Sequence, residues 1–307
     1  MKAVRYSEYG DASVLRYADV ETPTPGAGQV LVKVAASSFN PVDVPIRAGF
    51  LQQALGLTFP HTPGSDVAGT IAALGEGVSG FAVGDAVIGF LPMDEDGSAA
   101  EYALALAGLL TAAPTSIPLA DAAALPAVGL TAWQALFEHA DLQPGQRILI
   151  NGAGGAVGGY AVQFALAAGA AVLATASPRS ESRVRSYGAT EVIDYTTGSV
   201  VDAVTEPVDV VLNLVIGPES AMAGLVGLVR DGGIFVTTAS DAPADAKVRT
   251  VHVYVRSDAA QLAALVAKVD AGELRVDVGE RYPLDQLASV HELSVAGKLS
   301  GKVILVP

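Results

Sequence analysis

The segment 147–168 constrains the fold more than any other part of the chain. A short apolar run, Arg147-Ile-Leu-Ile, leads into Asn151-Gly-Ala-Gly-Gly-Ala-Val-Gly and then into a stretch of helical character ending at Ala168. A buried strand that turns through glycines into a helix opens a βαβ unit, and such units build parallel sheets. Gly152, Gly155 and Gly158 give a G-x-x-G-x-x-G spacing, with Gly154 in addition, in place of the strict G-x-G-x-x-G. The physical requirement is still met. Glycines let the backbone turn tightly and approach a diphosphate, and the free N–H groups and dipole of the helix N-terminus stabilise its charge. Gly152, Ala153, Gly154, Gly155, Ala156, Val157 and Gly158 are therefore the candidate phosphate-binding residues. The same glycines also suit a turn that serves close packing alone. The surroundings favour the first reading: β-rich runs at 171–176, 191–195, 208–215, 233–238 and 248–255 have helical pieces between several of them, as in a doubly wound α/β sheet.

The end of the second strand adds a cofactor signal. A fold selective for NAD places Asp or Glu there, about 20 residues past the glycines, to hold the ribose 2′-OH. This chain reads Ala174-Thr-Ala-Ser-Pro-Arg-Ser, with no carboxylate. Ser177, Arg179 and Ser180 instead suit a 2′-phosphate, with arginine as the natural anion partner, so NADPH is the expected cofactor. An arginine after a turn also serves commonly as a solvated charge.

The flanks read differently. Runs at 2–6, 30–35, 67–73 and 85–90 are β-rich and punctuated by Thr22-Pro-Thr-Pro-Gly, Pro63-Gly and Gly75-Glu-Gly, which fits a small antiparallel barrel. From Leu119 the texture changes, with helical character over 121–139 broken near Pro126 and Gly129. Toward the end, Asp258 can cap a helix that places Leu262, Leu265, Val266 and Val269 on one face. Asp285 can start another through Leu287, Val290 and Leu293, before a last strand over 302–306. At roughly 100 to 200 residues per domain the length implies two. The expected division is 1–118 with 257–307, and 119–256, interleaved through a shared chain end.

Composition removes several classes. The chain has no cysteine, hence no disulfide framework, thiolate nucleophile or cysteine-ligated metal. Eighteen basic against 32 acidic residues, a net charge of −14, argue against nucleic acid as a partner, because counterion release needs clustered Lys and Arg. The charged N-terminus lacks a signal-peptide core and no apolar run reaches the length of a membrane span, so a soluble cytoplasmic protein is expected. His61, His139, His252 and His291 are scattered and read as surface or satisfied core histidines.

Taken together, Asn40-Pro-Val-Asp-Val-Pro-Ile-Arg-Ala-Gly, Pro63-Gly-Ser-Asp-Val-Ala-Gly-Thr, Gly84-Asp-Ala-Val-Ile-Gly, Ala100-Glu-Tyr-Ala, Ala122-Ala-Ala-Leu-Pro, Gly129-Leu-Thr-Ala-Trp, the glycine cluster, Tyr187-Gly-Ala, Val192-Ile-Asp-Tyr and Gly301-Lys-Val-Ile-Leu span essentially the whole chain. In order and spacing they resemble the zinc-independent quinone oxidoreductases, the ζ-crystallin-like branch of the medium-chain dehydrogenase/reductase superfamily. The resemblance implies a GroES-like β-barrel catalytic domain followed by a Rossmann domain. It also implies NADPH-dependent reduction of a quinone, or of an alkene conjugated to a carbonyl, by direct hydride transfer. Zinc-dependent members hold their metal with Cys, His and Cys, whereas Asn40, Ser65 and Ala127 fall near those positions here, so no metal is expected.

Carried over by motif, Asn40 and Thr131 border the nicotinamide and its ribose, and Asp43 supports the Asn40 turn. Tyr195 flanks the adenosine phosphate, while Ser240, Val255, Arg256 and Ser257 border the nicotinamide side. Asn40 before proline also suits a plain turn, and Thr131 a hydroxyl bonded to its own helix. Two departures stand out: Phe50 replaces the commoner tyrosine at the substrate mouth, and Asn213-Leu-Val-Ile-Gly-Pro replaces the usual Asp-x-x-Gly-Gly. No residue sits in a motif that demands a general acid, and solvent can supply the proton. Two other roles share the fold: an enoyl or polyketide-type reductase acting on a tethered substrate, and a low-turnover NADPH-binding structural or regulatory protein. The long, β-branched run 248–255 at the outer edge of the Rossmann sheet leads to a homodimer as the expected assembly.

Overall fold

In the computed structural model, which describes all 307 residues, the first part of the chain is organised around one long strand. β1 (Lys2–Arg5) and β2 (Arg16–Asp19) pair as an antiparallel ribbon. β3 (Gln29–Phe39) follows, and residues 30–38 pair antiparallel with β4 (Asp66–Leu74), which in turn pairs with β5 (Ala86–Phe90). β6 (Tyr102–Leu106) lies on residues 29–33 of β3, and β7 (Leu110–Ala112) on β5. The two-residue side-chain period of a strand explains why β3 holds: Val30, Val32 and Val34 alternate into a core shared with Val67, Ile71, Val87 and Leu110. Each such buried side chain contributes roughly 1.5–3 kcal/mol of transfer free energy. A short helix, α1 (Asp43–Arg47), follows the Asn40-Pro turn.

Residues 119–124 form a 3₁₀ stretch and lead into α2 (Pro126–Trp133), with Pro126 at the first helical position, where its missing N–H costs nothing. Gly129 lies inside α2 without breaking it, contrary to the sequence expectation, and the helix continues as a π-helical turn over 134–139. The parallel sheet comes next: β8 (Arg147–Asn151), α3 (Ala156–Ala167), β9 (Ala171–Ala176), α4 (Pro178–Ser186), β10 (Glu191–Asp194), α5 (Val200–Ala203), β11 (Val208–Asn213), α6 (Glu219–Val226), β12 (Val229–Thr237) and β13 (Arg249–His252). The order is β10-β9-β8-β11-β12-β13, all parallel, so the winding reverses between β8 and β11. Ile148, Leu149 and Ile150 are all inaccessible, as expected where helices cover both faces, and β8 accordingly reads as a continuous apolar run.

The chain then returns to the first sheet. α7 (Ala259–Asp270) is capped by the Asp258 side chain, which accepts from the Gln261 N–H, and it buries Leu262, Leu265, Val266 and Val269. β14 (Val278–Pro283) precedes α8 (Leu287–Val295), and β15 (Lys302–Val306) pairs antiparallel with residues 37–39 of β3. Phe39 packs there with Leu287, Val290, Val303 and Leu305. α8 has no side-chain cap; Asp285 lies in a 3₁₀ turn before it and Leu293 is only partly buried, so the capping expected of Asp285 is corrected.

Two compact units result, 1–127 with 257–307 and 128–256. The first boundary lies after the expected 118/119, because Ala122, Ala123 and Ala124 are fully buried in the first unit and the Ala127 N–H donates to Asp66 there. Helical texture reports local conformation and not which core a segment joins. The run 248–255 is corrected too: only Arg249–His252 is strand, because its partner β12 ends at Thr237, opposite His252. No helix is long and apolar enough to cross a membrane.

Candidate active site

Within the second unit the glycine turn has the geometry a phosphate requires. Gly152 has φ +96°, a left-handed conformation, and an added Cβ would lie 2.9 Å from Val215 Cγ2. Gly158 lets α3 close onto the turn, since a Cβ there would stand 2.4 Å from the Gly152 carbonyl oxygen. Gly155 differs: it is exposed, it precedes α3, and a Cβ would meet nothing nearer than that same oxygen at 3.3 Å. No side chain caps α3, so the amides of its first turn, Ala156, Val157 and Gly158, face the space in front of Gly155. An uncapped helix N-terminus with room before it fits a diphosphate. Ala153 is buried behind the turn.

At the neighbouring strand ends, Asp194 pairs with Ala176, so Tyr195 and Ser177 leave the sheet side by side. Ser177 caps α4 through a capping box with Ser180; Ser180 is buried, and its hydroxyl is spent on the cap. Arg179, in the first turn of α4, and Tyr195 are exposed. One residue was missed. The guanidinium of Arg183 donates to the Gly154 carbonyl at 2.6 Å and ties α4 to the glycine turn. Its spacing of four from Arg179, which puts both on one helix face, was the available signal. Farther along the sheet, Ser240 Oγ accepts the Gly217 N–H at 3.0 Å. Gln134 binds both backbone groups of Arg256, whose guanidinium pairs with Glu138 at 2.6 Å, and Val255 is half-buried beside it. Thr131 lies in α2 and belongs to this unit.

In the first unit, Asn40 is buried in a polar cluster centred on Asp66 and Lys302. The Lys302 ammonium donates to Asn40 Oδ1 at 2.6 Å, Asp66 Oδ2 at 3.0 Å and the Phe39 carbonyl at 3.2 Å, which uses its three hydrogens. Asp66 also accepts from Asn40 Nδ2 at 2.9 Å, the Ala127 N–H at 2.6 Å and the Ser38 hydroxyl. A buried ion pair tolerates desolvation only with its remaining hydrogen-bonding sites filled, and here they are. Asn40 Nδ2 reaches Ser65 Oγ at 3.4 Å, so Asn40, Ser65 and Ala127 meet around a carboxylate and an ammonium. An amide, a hydroxyl and a methyl are no zinc donor set, and no three His, Asp or Glu side chains are grouped to hold a metal. Asp66 and Lys302 stand within the motifs quoted from the sequence but carry no site role there; the signal was a charge opening each of two largely apolar strands.

Asp43 accepts the Asn40 N–H at 2.8 Å, and burial pushes its carboxyl up to about 7, although that N–H and the Lys302 charge favour the ionised form. It lines a small cavity with Tyr6, His61, Ser65 and Glu95. Burial also lowers His61 and takes His291 down to about 3, so both are neutral core histidines at neutral pH. Phe50 projects into solvent, 82% exposed, and the Ser257 hydroxyl donates to the Phe90 carbonyl.

Residues 26–115 match the alcohol dehydrogenase GroES-like domain, and residues 187–305 match a domain described as zinc-binding dehydrogenase. The chain is 33% identical over its whole length to a chloroplastic quinone oxidoreductase of Triphysaria versicolor, covering 98% of that protein. The chain belongs to the quinone oxidoreductase family. This family lies in the medium-chain dehydrogenase/reductase superfamily, whose members use nicotinamide cofactors, so the protein is an oxidoreductase of that kind. Among solved structures, the quinone oxidoreductase from Coxiella burnetii superposes with a TM-score of 0.91 at 28% identity, covering all of this chain and 99% of the other. The CurK enoyl reductase superposes with a TM-score of 0.89 at 28% identity, over 99% of this chain and 98% of that one. The first sheet of the quinone oxidoreductase fold described above is thus GroES-like and the second Rossmann-like.

Proposed function

We propose that the protein reduces quinones, or alkenes conjugated to a carbonyl, with NADPH as hydride donor and without a metal. The observation that carries this reading is the cluster around Asp66. The positions where zinc-dependent relatives carry ligands hold Asn40, Ser65 and Ala127, and these are interlocked with an internal ammonium–carboxylate pair. Without a Lewis acid an alcohol is a poor hydride source, whereas an electron-poor acceptor takes hydride directly. NADPH, when bound, supplies that hydride from its nicotinamide ring.

The chain's own residues bind and orient. The amides of Ala156, Val157 and Gly158 hold the diphosphate at the start of α3, and Arg179 with Ser177 and Tyr195 receives the 2′-phosphate. Asp43 fixes the Asn40 backbone, and Lys302 with Asp66 fixes which way the Asn40 amide faces. Solvent returns the proton to the reduced acceptor. The test is loss of reduced-nicotinamide absorbance with quinones, 2-alkenals, cyclic enones and enoyl thioesters, before and after dialysis against a strong chelator. Turnover of quinones or enones that survives dialysis supports the reading; a rate lost on dialysis and restored by zinc rejects it. Turnover confined to enoyl thioesters supports the second reading, a tethered-substrate reductase, which the likeness to the CurK enoyl reductase favours. Tight cofactor binding without any turnover rejects both.

A further inference from the structure

Four strands of the parallel sheet run through apolar stretches, 148–150, 172–174, 210–212 and 234–236, and at their carboxyl ends a row of polar side chains crosses them. Asn151, Asn213 and Thr237 are the last residues of β8, β11 and β12, and Thr175 is next to last in β9. Asn213 stands opposite Asn151 on one side and Thr237 on the other. The row is joined end to end. The Gly152 N–H donates to Thr175 Oγ1 at 2.8 Å, and that hydroxyl donates to Asn151 Oδ1 at 3.1 Å. Asn151 Nδ2 donates to Asn213 Oδ1 at 2.8 Å, and Asn213 Nδ2 to Thr237 Oγ1 at 3.2 Å. The Thr237 hydroxyl donates to the Ser240 carbonyl at 3.0 Å. Every donor points the same way, from the glycine turn toward Ser240. A hydroxyl has one hydrogen, so one that accepts from an N–H passes its own onward, and aligned bonds polarise each other.

We infer that Asn213 is a positioning residue, coupling the phosphate turn at Gly152 to the loops 214–217 and 239–240 through this one-way chain. Asn213 Nδ2 also donates to the Val215 carbonyl at 3.0 Å, and the Val215 N–H reaches Asn213 Oδ1 at 3.4 Å, so the residue shapes its own loop as well. Ser240 closes the far end by accepting the Gly217 N–H, and the Ala239 N–H donates to Thr237 Oγ1. The amide is essential to the direction. An aspartate at 213 would accept from Asn151 but could not donate to Thr237. The Thr237 hydroxyl would turn toward the carboxylate and release the Ser240 carbonyl. Asparagine here, where the resemblance expects aspartate, is what lets the chain run through. Assigning the two ends to phosphate and nicotinamide rests on the function proposed above; the coupling itself does not.

The experiment compares wild type, Asn213→Asp, Thr175→Val and Thr175→Ser as full-length proteins. Amide hydrogen exchange is read first, without cofactor. Asn213→Asp should raise exchange in 214–217 and 239–240 by about tenfold while leaving the glycine turn protected. Thr175→Val should raise it by about tenfold in the glycine turn and, because the chain runs on from Thr175, also in 214–217 and 239–240, and Thr175→Ser, which keeps the hydroxyl, should match wild type. With cofactor, Thr175→Val should weaken NADPH and NADH equally, by about tenfold, and Asn213→Asp should lower kcat at saturating cofactor with little change in Kd. Exchange that changes at neither end, that in Thr175→Val rises in the glycine turn alone, or that rises uniformly over the second unit in both variants, overturns the coupling even where NADPH-dependent turnover is intact. A wild type that binds no nicotinamide cofactor overturns the functional reading instead, and the exchange data still decide this one.

Discussion

On the function proposed above, two arginines on one face of α4 are expected to make different claims on the cofactor. Arg179 is exposed in the first turn of α4 beyond Ser177, while Arg183 holds the Gly154 carbonyl. Arg179→Ala should weaken NADPH by about tenfold and leave NADH nearly unchanged, because only NADPH carries the 2′-phosphate. Arg183→Ala should weaken both alike through the loosened turn; titration of each variant with the two cofactors separates the cases. Asp43 gives a residue-scale prediction in pH. Its carboxyl is raised to about 7 in the fold against about 3.9 in the unfolded chain, so the unfolded state releases its proton first. The stabilisation is complete below the unfolded value and is lost as pH rises through the folded one. Relative to Asp43→Asn, the wild type should therefore lose about 2–3 kcal/mol between about pH 5 and about pH 8, read by urea denaturation. His291 works the other way, since its value is depressed to about 3 and its contribution is lost on acidification. The sequence proposes Arg179 because a missing carboxylate at a strand end is a local signal, and the cofactor titration is what tests it. The contacts of Arg183, Asp66 and Lys302 have no such local signature, because they are made with partners 26 to 263 positions away.

The elements that were legible are those with strong local rules. A strand buried on both faces reads as Ile148-Leu-Ile, and α7 was legible from the Asp258 cap and one apolar face. What failed depended on neighbours. Beyond His252 the Val253 N–H still bonds the Thr237 carbonyl, but β12 ends there and the rest of the β-branched run has no strand beside it, while Gly129 is carried inside α2. The glycine turn separates folding from binding at this scale. Gly155→Val adds a side chain where only the Gly152 oxygen is near, so the variant should melt within a few degrees of wild type, roughly a 1 kcal/mol change, yet bind neither cofactor. Gly158→Val drives a Cβ to 2.5 Å from Ala153 Cα and should cost about 2–3 kcal/mol or more of stability as α3 is pushed off the turn. Thermal melting beside cofactor titration distinguishes the two. A Gly155→Val protein that still binds would remove the phosphate from this turn.

At the scale of the whole molecule, the expected assembly is a homodimer formed along β13. That strand pairs only with β12, so its outer edge carries backbone N–H and C=O groups with no neighbouring strand. Edges of this kind are usually guarded by charge, and Arg249 and Arg256 are the basic residues available. Both are drawn away: the Arg249 guanidinium donates to the His139 carbonyl at 2.8 Å, and Arg256 pairs with Glu138. Just past the strand, Tyr254 is 81% exposed and stacks on His252 at 4.6 Å between ring centroids, an aromatic face set out in solvent. A two-fold mate would pair the edges and cover both rings, continuing the sheet from one subunit into the next. The observed strand is four residues, half the length the sequence suggested, so the edge offers fewer bonds and Tyr254 carries correspondingly more of the contact. Light scattering should give a mass near twice the 31.0 kDa of one chain at micromolar concentration, and Tyr254→Asp should bring it back toward that single-chain value. A wild-type mass near 31.0 kDa across that range rejects the pairing.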